Sequence, residues 1–164
     1  MIVVADTSPL NYLALTGYLD VLPQLFGKVI VPRVVLAELA HPVSPPAVRE
    51  FAANPPAWLE VHDDIEVHRP MPSDLDPGET IAILLAHRLH ADFLLIDDAR
   101  GKTFAANEGL RVMGTVGLLR LAAQMGCVDL ATTFDRLKAT TFRVSPAFLD
   151  ALLVEHRRST GENS

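Results

Sequence analysis

Five carboxylates stand where an acid is expensive unless something uses it. Asp6 ends the apolar run of IVVADTSPL, and Asp97 and Asp98 end the apolar run of LLIDDARG. In a parallel α/β protein the ligand crevice lies at the carboxyl ends of the strands, so both sequences aim acids at one place. In VPRVVLAELA, Val34 and Glu38 are four apart, as are Val35 and Leu39, and Glu38 therefore borders the apolar stripe of a helix. In DPGETIAILLAH, Glu79 shares the i, i+3, i+4, i+7 face with Ala82, Ile83 and Ala86. Both glutamates are expected to lean inward near a helix start. Two carboxylates about 5 Å apart repel by roughly 3 kcal/mol at an effective dielectric near 20. Several such pairs would consume much of a domain's stability, and without compensation they would take up protons or splay apart. A divalent cation removes the conflict. An all-oxygen set of Asp6, Glu38, Glu79, Asp97 and Asp98, with no His or Cys, suits the hard ions Mg²⁺ or Mn²⁺.

Each acid taken alone has an ordinary use. Asp6, or better Ser8, could cap a helix beginning at Pro9, and Asp98 could cap one beginning at Ala99. Asp76-Pro-Gly-Glu79 has the form of a capping box with Asp in place of the hydroxyl residue. Glu38 has no capping use, and its ordinary use is that of an acid at a stripe's edge, which often reaches solvent. His87 and His90 share a helix face, but i, i+3 histidines on a solvated face make no convincing zinc site. Other chemistries lack their parts: no GxxxxGK loop occurs, a dehalogenase-like phosphotransferase would need an acid where Ser8 stands, and a phosphoacceptor receiver domain would need a lysine near Gly114.

The elements that must position these residues follow a parallel α/β rhythm. Short branched apolar runs at Ile2–Ala5, Val29–Val31, Phe93–Ile96 and Arg111–Met113 read as strands. Helices are expected at 9–15, 18–25, 32–40, 47–53, 79–90, 99–107, 116–124, 131–138 and 146–157, with Pro9, Pro32 and Pro146 in first turns and Gly17, Gly109 and Gly126 just past ends. Eight of the 12 prolines fall between residues 42 and 77. That stretch reads as an irregular excursion with one short helix and a strand-like Trp58–Val61, serving as surface loop, lid or partner-binding surface. Residues 1–158 are expected to form a single domain and 159–164 a disordered tail.

Composition bounds the rest. The 164 residues are 49% hydrophobic but only 6% aromatic, which suits a core of Leu, Val, Ile and Ala between helices and a parallel sheet. The single cysteine, Cys127, excludes an internal disulfide framework and fits a reducing cytoplasm. The N-terminal apolar run is too short and too interrupted for a leader or a membrane helix. The net charge of -6 is uneven: residues 1–99 hold 5 Lys+Arg against 14 Asp+Glu, and residues 100–158 hold 9 against 5. A phosphate-bearing ligand could lie across that boundary once cations covered the acids.

DTSPL after the first strand, VIVPRVVLAEL, GETIAI opening a helix, LLIDD and VMGTVG, in that order from about Ile2 to about Val154, resemble the PIN-domain family of metal-dependent ribonucleases. The pattern is similar to the branch related to VapC-type toxins. The resemblance implies a three-layer α/β/α sandwich with a short parallel sheet, and hydrolysis of RNA phosphodiester bonds with Mg²⁺ or Mn²⁺. It carries the acidic site to Asp6, Glu38, Glu79 and the Asp97-Asp98 pair. In the VapC-type pattern a threonine precedes the third-strand aspartate by two; Ile96 takes that place here, aligning Asp98 with the usual ligand and leaving Asp97 as an extra acid. Ser8 would orient a ligand beside Asp6, and Thr115 stands where some members have an acid or hydroxyl, though it also reads as a helix cap. Arg100 and Lys102 could meet the RNA backbone. The toxin branch implies an antitoxin protein and a homodimer. The competing reading is a non-catalytic PIN-fold module that binds protein or RNA; it would be marked by a missing acid, and none is missing.

Overall fold

The computed structural model describes residues 1–161. The chain separates into two compact units, Met1–Thr115 and Val116–Ser164. The first unit is built on five parallel strands: β1 (Val3–Ala5), β2 (Val29–Pro32), β3 (Leu59–His62), β4 (Phe93–Leu95) and β5 (Val112–Met113). Their order is β3-β2-β1-β4-β5. The chain moves outward from β1 through β2 to β3, then returns to the other side of β1 for β4 and β5. That reversal creates a switch point between the carboxyl ends of β1 and β4, where α/β sheets bind ligands. Backbone pairing continues there: the Asp6 N–H donates to the Leu95 carbonyl at 2.9 Å. Asp6 is thereby fixed beside the end of the strand that precedes Asp97 and Asp98.

Helices α1 (Thr7–Thr16), α2 (Val21–Phe26), α3 (Arg33–Leu39), α4 (Pro46–Ala53), α5 (Pro77–Arg88) and α6 (Ala99–Asn107) flank the sheet. Val3, Val4 and Ala5 are fully buried, as are Leu94 and Leu95, which is why these strands read as continuous apolar runs. Val4, Leu94 and Ile96 pack with Ala82, Ile83, Leu85 and Ala86 of α5. The fold is the PIN-like α/β arrangement expected from the sequence.

Several boundaries differ from expectation. Helix α1 begins at Thr7, so Ser8 lies inside its first turn and caps nothing. Pro32 ends β2 and precedes α3 instead of lying within it. Glu38 occupies the next-to-last position of α3, not a place near its start. The proline-rich excursion contributes a full edge strand, because Leu59–His62 pairs with β2 over four positions from Val29↔Leu59 to Pro32↔His62. It also caps α3, since Asp64 accepts from the Val34 N–H at 2.9 Å.

Helix α7 (Thr115–Gln124) spans the junction between the units, and α8 (Leu130–Lys138) and α9 (Pro146–Thr160) belong to the second. Asp129 and Ser145 cap α8 and α9 through the Thr132 and Phe148 N–H groups. Helix α9 runs two residues into the segment expected to be a disordered tail, and residues 162–164 of that segment lie outside the described residues. Among the described residues no helix is long and apolar enough to cross a membrane.

Candidate metal centre

The site forms where three elements end or begin. Asp6 follows β1 and stands at the N-cap position of α1, yet its side chain makes no cap hydrogen bond. It is 3% exposed, and among the described residues its Oδ1 is buried without a hydrogen-bond partner. A buried unpaired carboxylate oxygen is costly and calls for a ligand. Asp6, Glu38 and Asp76 each offer a carboxylate oxygen, and the three oxygens lie within 4.8 Å of one another.

Each partner is held from outside. Glu38 Oε2 accepts from the Thr7 hydroxyl, and its Oε1 accepts from the Gly78 N–H at 3.1 Å. Helices α1 and α5 thus clamp a side chain that projects from α3. Gly78 is required for that approach: a Cβ at this position would lie 2.5 Å and 2.7 Å from the Glu38 carboxylate oxygens. Asp76 and Glu79 form the capping box suggested by the sequence, with Glu79 N–H to Asp76 Oδ1 at 2.7 Å and Asp76 N–H to Glu79 Oε2 at 3.0 Å. Capping and participation in the acidic cluster are therefore joint properties of the same residues.

Protonation records the crowding. Burial, opposed by the Thr7 N–H and reinforced by Asp76, Glu79 and Glu38, pushes Asp6 up to about 8. Burial also pushes Glu79 up to about 7, with Asp76 and Asp98 adding repulsion against the help of the Asp76 N–H. Glu38 is raised by burial and by Asp76, while its bonds from Thr7 and Gly78 act the other way. These are the consequences of assembling negative charge away from water.

The paired aspartates after β4 separate into two roles. Asp98 caps α6, accepting from the Gly101 N–H at 2.8 Å, and its charge bears on Glu79. Asp97 gathers hydroxyls: Oδ2 accepts from Ser8 at 2.9 Å and from the Thr115 hydroxyl at 2.7 Å, while Oδ1 accepts from the Thr115 N–H at 2.7 Å. Thr115 is the first residue of α7, so Asp97 caps that helix across the chain. The Ser8 and Thr115 hydroxyls are turned toward Asp97.

Of the five expected site residues, Asp6 and Glu38 meet in the three-carboxylate group, Glu79 couples to it electrostatically, Asp98 bears on Glu79 alone, and Asp97 is bound by three protein donors. Asp76 is the member that sequence reasoning missed. Its capping pattern was visible; the return of α5 to the end of β1 was not. A divalent cation fits the three-carboxylate group: the donors are all oxygen, one is buried and unpaired, and their spacing suits a shared hard ion.

Fold and site define a PIN domain. The chain matches the DUF3368 family model, described as a PIN domain, over residues 2–158, and it belongs to that family. Members of the PIN-domain family are generally nucleases that use divalent metals. Among solved structures the chain is similar to a PilT N-terminus domain protein, SSO1118, from the hyperthermophilic archaeon Sulfolobus solfataricus P2, with 17% identity and a TM-score of 0.53, covering 72% of this chain and 90% of that one. That likeness concerns the fold. No curated protein matches the chain.

Proposed function

We propose that this protein is a metal-dependent endoribonuclease that hydrolyses RNA phosphodiester bonds with Mg²⁺ or Mn²⁺. The observation that supports it most is the buried, unpaired Asp6 Oδ1 beside Glu38 and Asp76, in a family whose members are generally nucleases. A bound divalent cation would supply Lewis-acid activation of water and neutralisation of the charge that grows on phosphate oxygens. Asp6, Glu38 and Asp76 would hold it. Glu79 and Asp98 complete the negative rim as direct or water-mediated ligands. Thr7 and Gly78 keep Glu38 in one orientation, and the Asp76 and Gly101 N–H groups do the same for Glu79 and Asp98. Asp97 serves the site through the hydroxyls it positions. No side-chain nucleophile is required. A non-catalytic binding module would have no use for a carboxylate buried at such cost.

The toxin role, with an antitoxin partner and a homodimer, extends this reading on the sequence resemblance alone, and a cytoplasmic setting extends it on the single cysteine. A neighbouring gene for a small DNA-binding protein that co-purifies with this chain and suppresses its activity would bear it out. The ribonuclease reading is tested by titrating Mg²⁺ or Mn²⁺ into RNA cleavage assays of wild type, Asp6→Asn, Asp76→Asn and Asp98→Asn. Wild type is expected to cleave only with metal, and Asp6→Asn to lose at least about 100-fold in rate, on the scale of losing one group that stabilises transition-state charge. Equal rates in all four proteins would defeat the assignment.

A further inference from the structure

Two cations, Arg100 and Lys102, follow the acidic pair, and the structure treats them differently. Arg100 is exposed and ion-paired with Asp74. Lys102 is half-buried, and among the described residues its ammonium has neither an ion pair nor a hydrogen bond. Its place is defined by Gly114: a Cβ there would lie 2.9 Å from Lys102 Nζ and 2.9 Å from Asp97 Oδ1. The ammonium therefore sits over a glycine, on the side where Asp97 gathers Ser8 and Thr115. Ser8 is two residues beyond Asp6, and Asp98, adjacent to Asp97, bears electrostatically on Glu79. Lys102 thus stands at the margin of the acidic cluster.

We propose that Lys102 is a substrate-binding residue whose ammonium holds an RNA backbone phosphate beside the metal centre. This rests on the ribonuclease reading and deepens it. A half-buried lysine gives up rotamer freedom and part of its hydration. A phosphate oxygen would supply the partner that the protein does not. The acidic cluster repels RNA, and a fixed cation at its edge would offset that repulsion and set which phosphate faces the ion. Asp97, already satisfied by three donors, leaves the ammonium available. Arg100, diverted to Asp74, does not serve this purpose.

The test compares wild type with Lys102→Met, Lys102→Arg and Arg88→Met, the last removing an equal charge at the far end of α5 from Asp76 and Glu79. The readouts are KM and kcat for a single-stranded RNA oligonucleotide, anisotropy of that RNA in Ca²⁺ over a range of salt, and Mn²⁺ affinity. Lys102→Met is expected to raise KM and the RNA Kd about 10-fold, with kcat changed less and Mn²⁺ affinity unchanged. Its log Kd against log salt slope should be shallower by about 0.7, the contribution of one phosphate on a single strand. Lys102→Arg should recover most of the affinity, and Arg88→Met should match wild type. A Lys102→Met protein that melts earlier but keeps the wild-type KM and salt slope would overturn the assignment in favour of a structural lysine. Wild type that neither binds nor cleaves RNA would overturn the ribonuclease reading, and this one with it.

Discussion

At the scale of single residues, the site depends on what surrounds each acid. Glu38 reaches the cluster only because Gly78 has no side chain, so Gly78→Ala must displace the carboxylate or the start of α5. We expect Gly78→Ala to weaken Mn²⁺ binding at least about 10-fold, equivalent to about 1.4 kcal/mol, measured by isothermal titration. An unchanged affinity would show that Glu38 does not hold the ion. The meeting of Glu38 with Asp6 is legible in the place of Glu38 on its apolar stripe and in the strand that Asp6 follows. Asp76 was legible only as a cap. Its second role arises because α5 brings its N-terminus to Glu38, a contact 40 residues apart in the chain that no local pattern encodes.

At the scale of elements, Asp97 and Asp98 are neighbours with separate duties, and their removal should cost different amounts. Asp97→Ala strips the acceptor from the fully buried Thr115 and from Ser8, leaving buried donors unmet at roughly 2–4 kcal/mol. Asp98→Ala removes one helix cap, worth about 1 kcal/mol. Urea unfolding in EDTA should rank the two in that order; the reverse order would refute the cross-chain cap. The strands and most helices were readable because buried parallel strands are continuous apolar runs and the helices carry Pro and Gly punctuation. Strand β3 is only half-legible, since Pro55 and Pro56 just before it obscure a segment whose strand character comes from pairing along β2. The early start of α1 was misread because Ser8 looks like a cap; Asp97 draws its hydroxyl away.

At the scale of the whole molecule, the acidic cluster couples stability to pH, and a bound cation would add to that coupling. Burial and neighbouring acids push Asp6 in the folded protein up to about 8 from its ordinary 3.8, and Glu79 up to about 7 from 4.5. Between about pH 4 and pH 8 the folded metal-free protein therefore holds more protons than the unfolded chain. The stability these two groups contribute is fully present below about pH 4 and is lost as pH rises through 7 and then 8. Thermal melts in EDTA should show Tm falling from pH 6 to pH 8.5, with a flatter profile in Asp6→Asn. A Tm that rises over that range in wild type would contradict the buried, crowded placement of Asp6. The same proton uptake means that metal binding should strengthen with pH over this interval, because protons and the cation compete for the same oxygens.

On the function proposed above, Asp6, Glu38 and Asp76 together hold one divalent cation. Calorimetric titration of MnCl₂ into the metal-free protein at pH 8 tests it without reference to any substrate. Wild type is expected to bind saturably, with affinity lost in Asp6→Asn and at least about 10-fold weaker in Asp76→Asn. No saturable binding by wild type, or equal binding by all three proteins, would contradict it.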